Sequence, residues 1–280
     1  MIKKLYNTLR LLRPRQWVKN FALFAAVTFT GELFNFNAVF PVILGFFVFC
    51  AASSASYIIN DIIDVKNDRM HPFKRFRPLA NEDINSTFAG ALAVLLIIFA
   101  LGLAAFITPT FFLFTIVYLL LQIFYSTILK TITVIDILAI ASGYILRVLA
   151  GEFASGFHIS VWLLLTTISI SLFLAIGKRR SELTLVSQNK EANIAATRKT
   201  LSHYSERLLD VYASIFATST FISYSLFTFL ENPKGINFSF GEILLPDILP
   251  SFFQRKWLML TIIPVVYGLM RYLQDIYEKH

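Results

Sequence analysis

The sequence predicts an all-α protein, a polytopic bundle of eight or nine transmembrane helices. Hydrophobic residues make up 56% of the 280-residue chain, and its mean hydropathy is +0.67. A water-soluble domain of that composition would lack a polar coat. The apolar segments have the length of membrane helices, about 20 residues, rather than the roughly ten-residue alternating pattern of membrane barrels. One membrane-embedded domain, 1–280, is therefore expected.

Eight membrane helices are predicted, and the basic residues indicate their orientation. The helices lie near residues 17–34, 39–65, 84–106, 110–129, 134–153, 160–179, 208–230 and 257–275. With these boundaries the lysines and arginines gather on one side, which the positive-inside rule makes cytoplasmic. The expectation is a multi-pass protein of the bacterial cytoplasmic membrane, with both termini inside and a site facing the cytoplasm. A ninth segment at 236–253 would instead move the C-terminus outside.

Charge, cysteine content and the N-terminal pattern argue against several other classes. The net charge of +8 follows from the basic side of the membrane, so a nucleic-acid partner is not expected. The single cysteine, Cys50, excludes a disulfide framework. The first apolar run ends at Glu32 without a small-residue cleavage pattern, which favours a retained helix over a signal peptide. An oligomer is compatible with the sequence.

The first predicted helix begins with aromatic and basic residues. Trp17 suits the headgroup level of a bilayer. Arg15 and Lys19 are four residues apart and would share one face of an α-helix. This pair either anchors the helix at the interface or captures the phosphate of a lipid.

The second predicted helix ends in the most informative stretch of the chain. A long apolar run is followed by Asn60, Asp61, Asp64 and Asp68. At about 100° per residue these four fall within roughly a 100° arc, if the helix continues. Carboxylates crowded on one arc repel each other unless cations neutralise them, and their oxygens suit Mg²⁺. The pattern therefore predicts a magnesium site that binds a diphosphate.

A basic loop follows the acidic stretch. Lys74, Arg75 and Arg77 begin a few residues after the carboxylates. Basic side chains beside a magnesium site would hold phosphate oxygens and complete a diphosphate clamp. The competing explanation is ordinary positive-inside charge.

The fourth and fifth predicted helices carry further candidates. Tyr125 and Lys130 close the fourth helix. Arg147 lies eleven residues past Asp136 in the fifth, which is about 16 Å deeper by helical rise. A charge at that depth must face the bundle interior or water. Arg147 is therefore either a counter-ion for an acid on another helix or part of the lining of a substrate cavity.

The sixth predicted helix ends in Lys178, Arg179 and, shortly after, Glu182. Charge at an inner helix end is routine and is weak evidence by itself. It gains weight because the other unusual polar groups converge on the same side of the membrane.

These residues together resemble the UbiA superfamily of membrane transferases. Residues 60–68 match its first aspartate-rich pattern, NDxxDxxxD, and Arg77-Pro78-Leu79 follows as it does in that family. Most members carry a second DxxxD motif that holds another magnesium for a prenyl diphosphate, and this sequence has none. The nearest candidates to replace it are Glu182, Glu206 and Asp210.

A closer resemblance, over residues 13 to about 210, is to the decaprenyl-phosphate phosphoribosyltransferase branch. The segments that carry it are Arg13-Pro14-Arg15-Gln16-Trp17-Val18-Lys19-Asn20, the loop from His71 to Pro78, Tyr125-Ser126 with Lys130, the helix from Asp136 to Gly151, and Gly177-Lys178-Arg179 with Glu182-Leu183. This branch implies that the diphosphate belongs to 5-phosphoribosyl 1-diphosphate and that the prenyl group sits on the acceptor, a polyprenyl phosphate. One acidic cluster then suffices, because one substrate carries a diphosphate.

The resemblance also implies roles for individual residues. Magnesium would be held by Asn60, Asp61, Asp64 and Asp68. Catalysis would depend on Asp61, Asp64 and Lys130. The diphosphate and phosphate groups would be bound by Lys74, Arg77, Tyr125, Lys130, Lys178, Arg179 and Glu182. The lipid phosphate would be bound by Arg15, Lys19 and Arg147.

Two other functions are weighed against this one. A UbiA-type enzyme could join a polyprenyl diphosphate to an aromatic acceptor such as 4-hydroxybenzoate, but the absent second DxxxD argues against it. A lipid or ion transporter would place its charged groups near the midplane, in paired repeats and broken helices. Here the polar groups gather at one face, which favours the enzyme.

Overall fold

The computed structural model describes residues 2–70, 74–188, 204–231 and 257–277, and the regular structure within these ranges is helical throughout. The α-helices are α1 (Ile2–Leu12), α2 (Ala25–Phe29), α3 (Phe36–Met70), α4 (Ser86–Ala104), α5 (Pro109–Thr127), α6 (Ile135–Ser155), α7 (Val161–Gln188), α8 (Glu206–Leu230) and α9 (Ile262–Tyr277). 3₁₀ helices occupy Pro14–Phe24, Lys74–Phe76, Leu129–Thr131 and Trp257–Thr261. The predicted all-α fold class is confirmed.

Within the described residues six helices, α3 to α8, are long and apolar enough to cross a membrane, so the protein is a multi-pass membrane protein. They correspond to the second to seventh predicted helices. The first predicted helix, 17–34, is instead the 3₁₀ helix Pro14–Phe24 followed by the short α2. The last, 257–275, is likewise a 3₁₀ turn followed by α9. The ninth segment considered at 236–253, and His71 to Phe73 of the basic loop, lie outside the described residues.

Polar caps fix where the helices beside the site begin and end. The Thr108 side chain accepts a hydrogen bond of 3.0 Å from the Phe111 N–H at the start of α5. Such a cap satisfies an amide that the helix leaves unpaired, and its loss costs about 1 kcal/mol. Helix α6 is followed directly by Gly156, whose φ of 75° is a left-handed conformation that glycine adopts without strain.

Two of the apolar clusters of the core contain residues of α6. Ala150 and Ala154, near the C-terminal end of α6, pack with residues of the Pro14–Phe24 helix, α3 and α5. Ile137 and Ala141, near its N-terminal end, pack with residues of α7, α8 and α9. The middle of α6 therefore lies where the two clusters meet, and Arg147 is located there.

A close backbone contact joins α6 to the 3₁₀ helix Pro14–Phe24. A Cβ atom on Gly151 would lie 1.9 Å from the carbonyl oxygen of Leu23. Real side chains do not reach that distance, so glycine is required for the two segments to approach this closely. One turn earlier on each segment, Arg147 meets Asn20.

Replacement of Gly151 by alanine is expected to separate these segments and destabilise the protein. Overpacking against backbone costs about 3 kcal/mol, because the backbone cannot rotate aside. The measurement is thermal unfolding of purified Gly151→Ala in detergent. Gly102→Ala is the matched control, since a Cβ there meets nothing within 4 Å. An unchanged Tm for Gly151→Ala would contradict the close contact.

Candidate active site

The acidic cluster predicted from the sequence lies at the C-terminal end of α3 and comprises Asn60, Asp61, Asp64 and Asp68. The helix continues unbroken to Met70, so the four residues share one helix as predicted. Asp61 and Asp68 are buried, at 3% and 4% exposure, whereas the Asp64 side chain is 23% exposed. Buried carboxylates require cations close by, because their desolvation is otherwise costly.

Two arginines neutralise the buried carboxylates of the acidic cluster. Arg13 donates to both oxygens of Asp61, at 2.6 and 2.8 Å. Nη1 of Arg77 bridges two residues, at 3.0 Å from Asp61 and 2.6 Å from Asp68. In this arrangement Arg77 acts as a counter-ion for carboxylates, rather than as the phosphate ligand that the sequence predicted.

A lysine neutralises the remaining carboxylate. Lys130 lies in the 3₁₀ turn that follows α5, and its Nζ is 2.7 Å from Asp64 Oδ1. Lys74 lies in the 3₁₀ turn after α3 and is half-buried. The acidic cluster is therefore neutralised by Arg13, Arg77 and Lys130, which come from three separate segments of the chain.

The donor set of the acidic cluster suits magnesium in chemistry. Three carboxylates and an amide are hard oxygen ligands. Among the described residues, no three Asp, Glu, His or Cys side chains are already arranged to hold a metal ion. Arg77 Nη1 nevertheless contacts Asp61 and Asp68 at the same time. These two carboxylates are therefore close enough to bind one cation together. A metal ion would fit once Arg13, Arg77 and Lys130 left these carboxylates.

A polar cavity of about 320 Å³ adjoins the acidic cluster, between the Pro14–Phe24 helix, α3, α5, α6, α7 and α9. Its polar lining consists of Lys19, Arg147, Lys178, Gln122, Tyr57, Tyr118, Tyr125, Tyr144 and Tyr272. None of the described residues that line it is Asp or Glu. Tyr57 lies one helical turn before Asp61, so one end of the cavity borders the acidic cluster. Because Lys19, Arg147 and Lys178 bring positive charge to the lining, the cavity suits the binding of an anion.

Arg147 lines the cavity and is 4% exposed. Its Nε donates to Asn20 Oδ1 at 2.7 Å, its Nη1 to the Gly143 carbonyl at 2.6 Å, and its Nη2 to the Tyr118 hydroxyl at 2.8 Å. The guanidinium also lies over the ring of Tyr118, 4.8 Å from its centroid. Of the two alternatives for Arg147, the structure supports cavity lining, because it forms no ion pair with a carboxylate in the described part of the chain.

Lys19 lines the cavity, whereas Arg15 is exposed and does not. The prediction that they share a face assumed an α-helix, but both lie in the 3₁₀ helix Pro14–Phe24. A 3₁₀ helix has about three residues per turn, so side chains four apart point about 120° away from each other. The predicted common face was wrong for this reason.

The neighbours Lys178 and Arg179 of α7 lie in different surroundings. Lys178 lines the cavity. Arg179 is 0% exposed, and its Nε is 2.6 Å from Asp136, its Nη1 2.5 Å from Glu182 and its Nη2 2.9 Å from the Tyr125 hydroxyl. The structure therefore brings Tyr125 and Lys178 to the cavity and keeps Arg179 and Glu182 out of its lining.

Asp136 connects this arginine to the loop before α6. Its Oδ1 accepts a 2.7 Å hydrogen bond from the Tyr204 hydroxyl, which accepts one of 2.7 Å from the Val134 N–H. Burial raises the pKa of Tyr204 above its ordinary value, and the hydrogen bond to Asp136 raises the pKa further. The phenol therefore stays protonated and donates to Asp136. Val134 has a φ of 70°, a strained value for a β-branched residue, and the Tyr204 contact helps to hold it.

The acids considered as substitutes for a second aspartate-rich motif are bound by arginines. Arg180 Nε is 2.8 Å from Asp210, and its Nη2 is 3.1 Å from Glu206. Glu182 is paired with Arg179 in the same way. These contacts neutralise all three acids within the protein.

Comparison with known proteins identifies the family. The profile of the UbiA prenyltransferase family matches residues 20–258. The chain belongs to the UbiA prenyltransferase family. The resemblance seen in the sequence is thereby confirmed.

Relatives of this UbiA-family chain include enzymes with a named activity. It is 39% identical over 225 residues to the decaprenyl-phosphate phosphoribosyltransferase of Corynebacterium glutamicum. The aligned residues cover 79% of this chain and 67% of the relative. It is 33% identical over 272 residues to the decaprenyl-phosphate phosphoribosyltransferase of Mycolicibacterium smegmatis. This alignment covers 96% of this chain and 81% of the relative.

A solved structure has the same fold. It is that of a UbiA homolog from Archaeoglobus fulgidus bound to GPP and Mg²⁺, with a TM-score of 0.67 and 19% sequence identity. The match covers 97% of this chain and 99% of that one. At this identity the likeness establishes the fold.

Several residues of this UbiA-family site were not assigned a role from the sequence. They are Arg13, Asn20, Tyr57, Tyr118 and Tyr204. A polar side chain within an apolar membrane segment is a signal in itself, and it could have identified Asn20 and Tyr118. Their contacts with Arg147 could not be predicted, because Asn20 lies 127 residues away from it in the sequence.

The buried pair of Asp136 and Arg179 is expected to respond strongly to single substitutions. Arg179→Gln leaves the buried Asp136 carboxylate uncompensated and should lower stability by about 3–5 kcal/mol. Asp136→Asn should cost less, because Glu182 still pairs with Arg179. The double variant should lose less than the sum, because the buried charges of Asp136 and Arg179 are then removed together. Thermal unfolding in detergent provides the measurement.

The matched control for this pair is Arg271→Gln. Arg271 lies 3.7 Å from Asp275 on α9, and both side chains are exposed, so the loss should stay below about 1 kcal/mol. Strictly additive losses at positions 136 and 179 would show that the two residues do not interact as described.

Proposed function

We propose that this protein transfers the 5-phosphoribosyl group from 5-phosphoribosyl 1-diphosphate to a polyprenyl phosphate of the decaprenyl type, and releases diphosphate. The observation that carries the proposal is an acidic cluster beside a cationic cavity. The acidic cluster suits a metal-bound diphosphate, and the cavity suits a further phosphate group. The names of the relatives at 33–39% identity support the same reaction.

The metal in this reaction would be magnesium. It would be held by Asn60, Asp61, Asp64 and Asp68. When bound, magnesium would supply positive charge to the departing diphosphate. Arg77 and Lys130, which bind the carboxylates in this structure, would then donate to diphosphate oxygens instead. Lys130 would in this way take part in catalysis.

The acceptor phosphate would be the nucleophile and needs no general base. The second pKa of a phosphate monoester is about 6, so the group is mostly dianionic near pH 7. One of its oxygens would bond to C1 of the ribosyl group while the bond from C1 to the diphosphate oxygen breaks. The bonding electrons would leave with diphosphate, and in-line attack would invert C1. The protein would contribute positioning and electrostatic stabilisation.

The alternative is the transfer of a prenyl group from a polyprenyl diphosphate to an aromatic acceptor such as 4-hydroxybenzoate. The isoprenoid tail of that donor would lie beside the acidic cluster. There the cavity carries Lys19, Arg147 and Lys178, and contact with an apolar chain would bury these cations without an anion. The cavity therefore favours a phosphorylated sugar as the donor.

The site is proposed to face the cytoplasm at the bacterial cytoplasmic membrane. The basic residues gather on the side of the bundle that carries the acidic cluster, as the positive-inside rule requires for a cytoplasmic side. The water-soluble donor would enter from that side, and the acceptor chain would lie between helices, open to the bilayer.

A transfer assay on purified protein in lipid tests this function. One reaction contains labelled 5-phosphoribosyl 1-diphosphate and polyprenyl phosphate, and the other contains polyprenyl diphosphate and 4-hydroxybenzoate. With magnesium, label is expected in a lipid product of the first reaction, and EDTA should abolish it. Product in the second reaction alone would overturn the proposal in favour of the alternative.

Asp64→Asn is the sharpest variant for the metal site. Its side chain is partly exposed, so the loss of charge should leave the fold intact. We expect kcat to fall by about 100-fold or more, since electrostatic stabilisation of the leaving group is lost. Asp275→Asn on α9 is the control, because that carboxylate is exposed and far along the chain from the acidic cluster. Full activity of Asp64→Asn would exclude Asp64 as a metal ligand.

A further inference from the structure

Arg147 is a buried cation whose charge no carboxylate neutralises within the residues that the structure describes. It is 4% exposed, and its three hydrogen-bond partners, Asn20, Gly143 and Tyr118, are neutral. A charge at membrane depth without a counter-ion carries a desolvation penalty that neutral dipoles offset only in part. A bound anion would remove that penalty.

The Arg147 guanidinium has hydrogen-bonding capacity left for an anion. It carries five N–H groups. Its contacts with Asn20, Gly143 and Tyr118 use three of them. The other two, one on each terminal nitrogen, have no partner among residues 2–70, 74–188, 204–231 and 257–277. Charge-assisted bonds from these groups would suit phosphate oxygens.

Lys19 and Lys178 add charge to the same cavity. Both line it with Arg147, and no ion pair joins either lysine to a carboxylate in the described ranges. A phosphate monoester carries a charge of about −1.5 to −2 at pH 7. The three cations are therefore more than enough to balance the charge of one phosphate monoester group.

The depth of Arg147 distinguishes between the two phosphate monoesters of the proposed reaction. Asn20, which binds Arg147, also donates to Ser53 Oγ at 3.5 Å. Ser53 lies eight residues before Asp61 on α3, or about 12 Å deeper by helical rise. A lipid phosphate stays near the headgroup level, because it is charged and its chain lies in the bilayer. A soluble sugar phosphate can enter a polar cavity to that depth.

We infer that Arg147, Lys178 and Lys19 form a phosphate-monoester subsite that takes the 5-phosphate of the donor, while the acidic cluster takes its diphosphate. The inference rests on the proposed function and names which substrate group this cavity binds. The sequence had suggested the lipid phosphate for Arg147 and Lys19. With the donor spanning both regions, the acceptor phosphate approaches C1 from nearer the headgroup level.

Binding of ribose 5-phosphate in EDTA tests this subsite without metal and without turnover. Isothermal titration of the wild-type protein should show binding, and Arg147→Gln should weaken it by about tenfold or more, because charge-assisted bonds are lost. Arg147→Lys keeps the charge and should weaken it less. Arg271→Gln, whose side chain is exposed and does not line the cavity, should bind as the wild type does.

Steady-state kinetics then separate the two phosphate sources. Arg147→Lys should raise the KM for 5-phosphoribosyl 1-diphosphate and leave the KM for polyprenyl phosphate unchanged. An increase confined to the polyprenyl phosphate KM would overturn the inference in favour of the lipid phosphate. Unaltered ribose 5-phosphate binding in both Arg147 variants would also overturn it. Binding of ribose 5-phosphate in a protein that lacks transfer activity would refute the proposed reaction and leave the subsite standing.

Discussion

The contact between Gly151 and the Leu23 carbonyl is the constraint on which the geometry of the cavity depends. It brings α6 and the Pro14–Phe24 helix together at backbone distance. One turn away, the same approach places Asn20 against the Arg147 guanidinium. Hydrogen bonds to Asn20 and to Tyr118 then fix the orientation of the Arg147 guanidinium. The position of this cation in the cavity therefore depends on the packing of the two segments. A glycine that lies outside the cavity lining therefore determines the electrostatics within it.

The acidic cluster and the cavity present opposite electrostatic situations in neighbouring parts of the bundle. In the acidic cluster the protein supplies cations for its own carboxylates, through Arg13, Arg77 and Lys130. In the cavity the cations have no carboxylate among the lining residues that the structure describes. A ligand that brings a metal-bound diphosphate to one and a phosphate monoester to the other would satisfy both. The ligand would also release Arg77 and Lys130 from the carboxylates, so the same cations could serve the empty and the occupied states.

The sequence predicted the architecture and the acidic cluster, but it did not predict the partners of the charged residues. Hydropathy located the six long helices, because the bilayer sets their length. Helical spacing placed Asp61, Asp64 and Asp68 on one helix, since α3 continues through them. Spacing failed for Arg15 and Lys19, where the backbone is a 3₁₀ helix that composition does not reveal. Contacts such as that of Arg147 with Asn20 depend on how distant segments pack, and no local pattern encodes them.

The positions of charged residues in the sequence did not separate substrate-binding cations from structural ones. The burial of each cation and its pairing with carboxylates in the structure do separate them. Lys178 and Arg179 are adjacent, yet successive residues of a helix point about 100° apart, so they face different surroundings. Arg179 and Arg180 are taken up by carboxylates of α6, α7 and α8. A cation already held by protein carboxylates gains little from a phosphate, because binding it would break an existing ion pair. Cations that line a cavity without such a partner gain the most, and in the described part of the bundle Lys19, Arg147 and Lys178 meet that condition.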